Sequence, residues 1–356
     1  MKRVLAIFFA TIASASAIEI QLDFGHDDAT HGFYASHPKA KSAVEKAAKD
    51  LSKAISASLQ QISGDLYSGT NGGTEARFDW GWSYVNPVTG ATEQISSPSV
   101  GNDTVIVYVG TRNISSGSTL GQGGIGGASV LISAGGFPQP TEWIDAVTAA
   151  ELSSNTAMTR GGGPVVNTIS GSANFAGYNG VYDLDYGLSV GNLWLDIDTD
   201  NNGSSDSAAA LDNFWHYDSE TAVAAGKMDF YTVALHELLH VLGAGTTQTW
   251  DQLSNSTQWL GAEASGIAGT SYILDSDGHH IAPGVLSARL SDGVFQESIL
   301  SPGVTPGVRK ELTELDLAIL EDLGYNVSYT PVPEPSSAAL FVIGLLAATT
   351  RRSRSH

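Results

Sequence analysis

The chain has 356 residues, enough to bury a large core, and its 40 glycines with only 15% charged residues mark a turn-rich globular protein rather than a disordered polyelectrolyte. Its 37 acidic against 17 basic residues give a formal net charge of −20, which repels phosphate backbones and sets nucleic acid aside as a partner. Cysteine is absent, which excludes disulfides, thiolate metal sites and Cys nucleophiles, so any metal must rest on His, Asp or Glu.

At the start, Lys2 and Arg3, the apolar run Val4 to Ile12 and then Ala15-Ser16-Ala17 have the three parts of a secretory signal peptide, residues 1–17, with Ile18 first in the mature chain. Residues 18–330 read as one domain. Alternation from Ile18 to Leu22 predicts a strand, and apolar residues at three- and four-residue steps from Pro38 to Ile62 predict one long amphipathic helix. Further strands are expected at Ala76 to Val85, Thr104 to Val109, Val181 to Leu184 and Leu193 to Ile197. Between them Gly121 to Gly127, GQGGIGG, lacks the Lys-Ser/Thr pair of a phosphate cradle and reads as a flexible turn.

His26, His31 and His37, with Asp27 and Asp28, match no ligand spacing and read as solvated loop, and His216 beside Trp215 reads as packing. Asp198, Asp200, Asn202, Gly203 and Asp206 fall at positions one, three, five, six and nine of a calcium loop, but Ala209 stands where the bidentate acid belongs. An Asx-rich turn is the simpler reading, with Ca2+ on Asp198, Asp200, Asn202 and Asp206 as the alternative. A second strong helix follows Gly226. A third follows Leu312, with Thr313 and Asp316 spaced as a capping box and Gly324 at its end. This order predicts an α+β domain with a cleft below the sheet.

The second helix carries His236-Glu237-Leu-Leu-His240, the H-E-x-x-H pattern. Four residues make slightly more than one turn, so His236 and His240 share a face and can share one tetrahedral ion, while Glu237 lies one position round, able to take a proton instead of binding metal. Gly243 lets the helix stop and the chain turn back. The pattern resembles the metzincin clan of zinc metallopeptidases, although Thr246 stands where the usual clan sequence has its third His.

Further on, Asp277-Gly278-His279-His280, then Gln296-Glu297 to Pro302, then Gly307-Val-Arg309 to Asp316 resemble matrixin- and leishmanolysin-like proteins, in which a long insertion precedes the last His. The resemblance implies a zincin fold with a twisted mixed sheet, a long backing helix, the site helix and a C-terminal helix below the cleft. It implies Zn2+ on His236, His240 and His280; His279 is a rival through a one-residue slip, and Glu263 is a rival in the different, gluzincin manner. It also implies an endopeptidase acting on protein or peptide substrates, in which Glu237 is general base and acid towards a metal-bound water. The clan's Met beneath the metal is Leu300 here, of similar volume. Tyr325 is a candidate to assist the oxyanion. The competing class is a catalytically inactive zincin-fold binding or structural protein of the cell surface or matrix.

Pro333-Glu334-Pro335, the apolar stretch Ala338 to Ala348 and the basic residues Arg351, Arg352 and Arg354 resemble a PEP-CTERM sorting signal, residues 331–356. That resemblance implies transient membrane contact, an exosortase-type partner and a place in the Gram-negative envelope, on the cell surface or in the extracellular matrix.

Overall fold

The computed structural model describes residues 17–329 apart from 57, 65, 97–98 and 115–116, so residues 331–356, expected to be a sorting signal, and all but the last of residues 1–17, expected to be a signal peptide, lie outside the described residues. The β-branched run Thr104–Arg112 forms a buried strand with Val105, Val107 and Val109 on one face. It pairs in parallel with Glu19–Asp23 on one side and Val190–Asp196 on the other. Gly121–Ile125 closes the sheet as an antiparallel edge strand on Val190–Asp196. The sheet is therefore mixed, and the domain is α+β, as expected.

Two helices cover the apolar face of this sheet. Pro38–Ala54 buries Ala40, Ala43, Val44, Ala47, Ala48 and Leu51 and packs on Glu19–Asp23, and the site helix Phe230–Val241 packs beside this backing helix and on Val190–Asp196 and Gly121–Ile125. A second, antiparallel sheet is built on Thr74–Val85, flanked by Leu66–Asn71, Thr92–Ser96 and Gly127–Gly136. A separate two-stranded hairpin pairs Val165–Phe175 with Tyr178–Gly187. No helix among the described residues is long and apolar enough to cross a membrane.

Two sequence expectations need correction, and one helix is not foreseen. The backing helix stops at Ala54 rather than continuing to Ile62. Ile55 is extended and bridges to Val327, and Ser56 donates to Asn326, so the C-terminal segment takes over the hydrogen bonds of this stretch while Ile55, Leu59 and Ile62 stay buried. Helical apolar spacing survives, but tertiary pairing overrides it. The glycine run 121–127 is not a flexible turn, since it supplies the edge strand and the start of the next strand. Finally, a helix not expected from the sequence, Trp143–Met158, packs on the hairpin and second sheet, although Trp143, Ala146, Val147, Ala150 and Met158 do show helical spacing.

Arg160 ties these layers together. Its buried guanidinium donates to the carbonyls of Gln60, Gly101, Thr104 and Leu188 at 2.7–2.9 Å, joining three chain segments at once.

Candidate metal centre

The site helix begins where Asp229 accepts hydrogen bonds from the Thr232 amide and hydroxyl. Arg309 grips the same buried carboxylate through Nε at 3.0 Å and Nη2 at 2.8 Å, fixing the helix start. The helix ends at Gly243 and Gly245, whose φ values of 108° and 71° suit glycine. Thr246, where the clan pattern has a His, donates to the His240 carbonyl as part of this stop.

His236, His240 and His280 converge, their ligand atoms all lying within 4.8 Å of one another. Each ring is held at Nδ1, at 2.6 Å in every case: His236 by the Ile299 carbonyl, His240 by the Ala244 carbonyl and His280 by the Asp277 carboxylate. Carbonyl oxygens only accept, so the Nδ1 atoms of His236 and His240 carry the proton and their Nε2 atoms are bare. Those bare atoms nevertheless face each other, with His240 Nε2 3.0 Å from His236 Nε2 and 3.2 Å from His280 Nε2. Lone pairs at such distances repel unless a cation lies between them. A tetrahedron with ~2.05 Å metal–nitrogen bonds has edges of about 3.3 Å, so the three rings are close enough to share one metal ion.

Burial, and then the neighbouring His240, holds His236 well below the usual imidazole pKa, and burial pulls His240 down to about 4. Both rings thus stay neutral, the state in which imidazole binds metal.

Glu237 is buried on the side of the helix facing the edge strand, and burial pushes its carboxyl up to about 8, opposed by a hydrogen bond from the Gly123 amide. A cation on the adjacent histidines would favour its ionised form. The approach of strand to helix requires glycine: a Cβ at Gly123 would lie 2.2 Å from the Glu237 carbonyl oxygen, and one at Gly121 3.0 Å from Glu237 Cγ.

The third ligand arrives by a long loop with structure of its own. Helix Gln248–Leu253 buries Trp250 against Trp259, with ring centroids 4.5 Å apart, and Trp250 Nε1 donates to the Gly278 carbonyl. His279 turns away and donates from Nδ1 to the Gly245 carbonyl at 2.9 Å, so His280 and not His279 joins the trio. Glu263 lies in the first turn of the short helix Ala262–Ala268, where Asp322 accepts from the Glu263 and Ala264 amides, and it is not part of the histidine group.

The turn that orients His236 is fastened from the closing helix Glu314–Asp322. Buried Asp316 completes the capping box with Thr313 and also accepts from the Ser298 hydroxyl and the Ile299 amide. Leu300, fully buried, follows directly. Neither Asp277 nor Asp316 is assigned to the site by sequence reasoning. The spacing of Asp277, three residues before His280, is the signal that could have found the first.

Other candidates resolve differently. Tyr325 is buried and donates to the Leu242 carbonyl, so it is a packing residue rather than an oxyanion partner. In the 198–206 loop, Asp198 accepts from the Asn202 and Gly203 amides and Asp206 from Thr199, an Asx-rich turn. His26 pairs with Tyr84 and Asn86, His31 with Thr111, His37 with Phe33 and His216 with Thr221. Among the described residues, His236, His240 and His280 form the one metal-competent group of His, Asp and Glu.

The chain matches no family model, no curated protein and no solved structure.

Proposed function

We propose that the chain is a secreted zinc-dependent endopeptidase with a zincin fold of the metzincin type, hydrolysing peptide bonds in protein or peptide substrates. The observation that carries this reading is the set of three imidazoles whose Nδ1 atoms are all engaged and whose Nε2 atoms face one another, one residue from a buried carboxyl. When bound, zinc would polarise the scissile carbonyl and acidify water. Glu237 takes a proton from the attacking water as its oxygen joins the carbonyl carbon, then delivers that proton to the nitrogen as the C–N bond breaks, leaving one acid and one amine. Among the described residues the edge strand Gly121–Ile125 has one neighbour in its sheet and runs past Glu237, so its outer edge offers backbone groups to an extended peptide.

Export by residues 1–17, and handling of residues 331–356 by an exosortase-type enzyme with transient membrane contact, complete the proposal. They rest on the sequence of the two ends.

The test is release of fragments from gelatin by the purified chain, wild type beside Glu237→Gln, with bound zinc measured in both. We expect one zinc in each protein and a loss of cleavage by roughly 10²–10⁴-fold in the variant, the usual worth of a general acid–base group. Zinc in both with cleavage in neither would favour a non-catalytic binding or structural role at the cell surface.

A further inference from the structure

The three rings are not supported alike. His236 and His240 sit on one helix and are oriented by backbone carbonyls, which hold their place as long as the fold does. His280 lies on a loop and is oriented by a side chain, the carboxylate of Asp277. That carboxylate makes three contacts. Oδ2 accepts from the His280 ring at 2.6 Å, and Oδ1 accepts from the His279 amide at 2.8 Å and the His280 amide at 3.2 Å. One carboxylate therefore shapes the turn and sets the ring that leaves it. Because His279 and His280 are adjacent, a small change in this turn would decide which of them faces the helix pair.

We propose that Asp277 is the positioning residue of the metal centre: it selects His280 over His279 as third ligand and, by placing a negative charge behind that ring, strengthens the grip on a divalent cation. The inference rests on the zinc reading above and deepens it. Two consequences follow from the chemistry. An ionised acceptor at Nδ1 makes Nε2 a better donor to metal than a carbonyl acceptor does. It also lowers the net charge of a site otherwise made of neutral ligands.

Asparagine separates the two roles of Asp277. In Asp277→Asn the side-chain oxygen still caps the turn amides, but the NH2 group then faces His280 Nδ1 and cannot accept its proton. This favours the tautomer that carries hydrogen on Nε2, where metal should bind. Asp277→Ala removes both roles.

The experiment measures zinc affinity of the purified chain by chelator competition, and the visible spectrum of the cobalt-substituted protein, for wild type, Asp277→Asn, Asp277→Ala and His236→Ala. Melting of the metal-free proteins serves as the fold control. We expect wild type to bind one ion, His236→Ala to lose it, and both Asp277 variants to bind about 10–100-fold more weakly with an altered cobalt spectrum. Metal-free Asp277→Asn should melt with wild type. Wild-type affinity and spectrum in Asp277→Asn, with a defect only in Asp277→Ala, would reduce Asp277 to a turn cap and overturn the inference while leaving the zinc reading intact. No zinc in wild type would overturn both.

Discussion

Every ring nitrogen in the histidine trio has an assigned task, and this lets the proton positions be deduced rather than assumed. The Ile299 and Ala244 carbonyls dictate the tautomers of His236 and His240, and burial keeps both rings neutral. The same accounting distinguishes the two adjacent histidines, since His279 Nδ1 is spent on the Gly245 carbonyl. His280→Ala should therefore lower zinc affinity by more than the roughly 10–100-fold cost of a lost supporting partner. His279→Ala removes one exposed hydrogen bond, worth about 1 kcal/mol, and should change affinity about fivefold at most. Chelator competition on both variants checks this, and a larger loss in His279→Ala would reverse the ligand assignment. From sequence, His236, Glu237 and His240 are legible because helical spacing alone places them. The choice of His280 over His279 comes from the resemblance alone, because a one-residue slip in a loop changes no periodicity.

At the scale of elements, the site is an assembly of three pieces that meet only in the folded chain: the site helix, the 277–280 turn and the 298–300 turn. Asp316 links the last of these to the closing helix, so the residue that caps a helix also holds the backbone that orients His236. The glycine run resembles a turn because glycine usually marks flexibility, whereas in the fold its missing side chains let the edge strand lie on the helix. Gly123→Val tests this. Its Cβ would collide with backbone at Glu237, which cannot rotate away, so the strand must shift. We expect a stability loss of roughly 1–3 kcal/mol by denaturant unfolding, the usual cost of overpacking, together with loss of gelatin cleavage. Unchanged stability would show that the strand does not bear on the helix as described.

Across the whole molecule, we expect the core to hold without a bound metal. The mixed sheet, its two covering helices, the second sheet and the Arg160 staple are held by buried apolar residues and by hydrogen bonds that do not involve the three histidine rings. A zinc bound to the folded state at a thousandfold excess over its Kd stabilises by about 4 kcal/mol, which for a domain of this size is on the order of 10 °C in Tm. Chelation should lower Tm by that order while far-UV circular dichroism at 25 °C stays unchanged, in contrast to small domains that unfold without their metal. Collapse of the spectrum on chelation would contradict this. What the sequence by itself determined was local: the α+β order of elements, the alternating strands, the helix that carries H-E-x-x-H and the capping box at Thr313 and Asp316. These follow from periodicity and short-range hydrogen bonding, which act between residues a few positions apart. Only the tertiary structure decided where the backing helix ends, that the glycines form an edge strand, that Ile299 stands behind His236, and that His279 is held by Gly245 while His280 meets the site helix. Each of those outcomes depends on a partner tens or hundreds of residues away, and no local pattern records it.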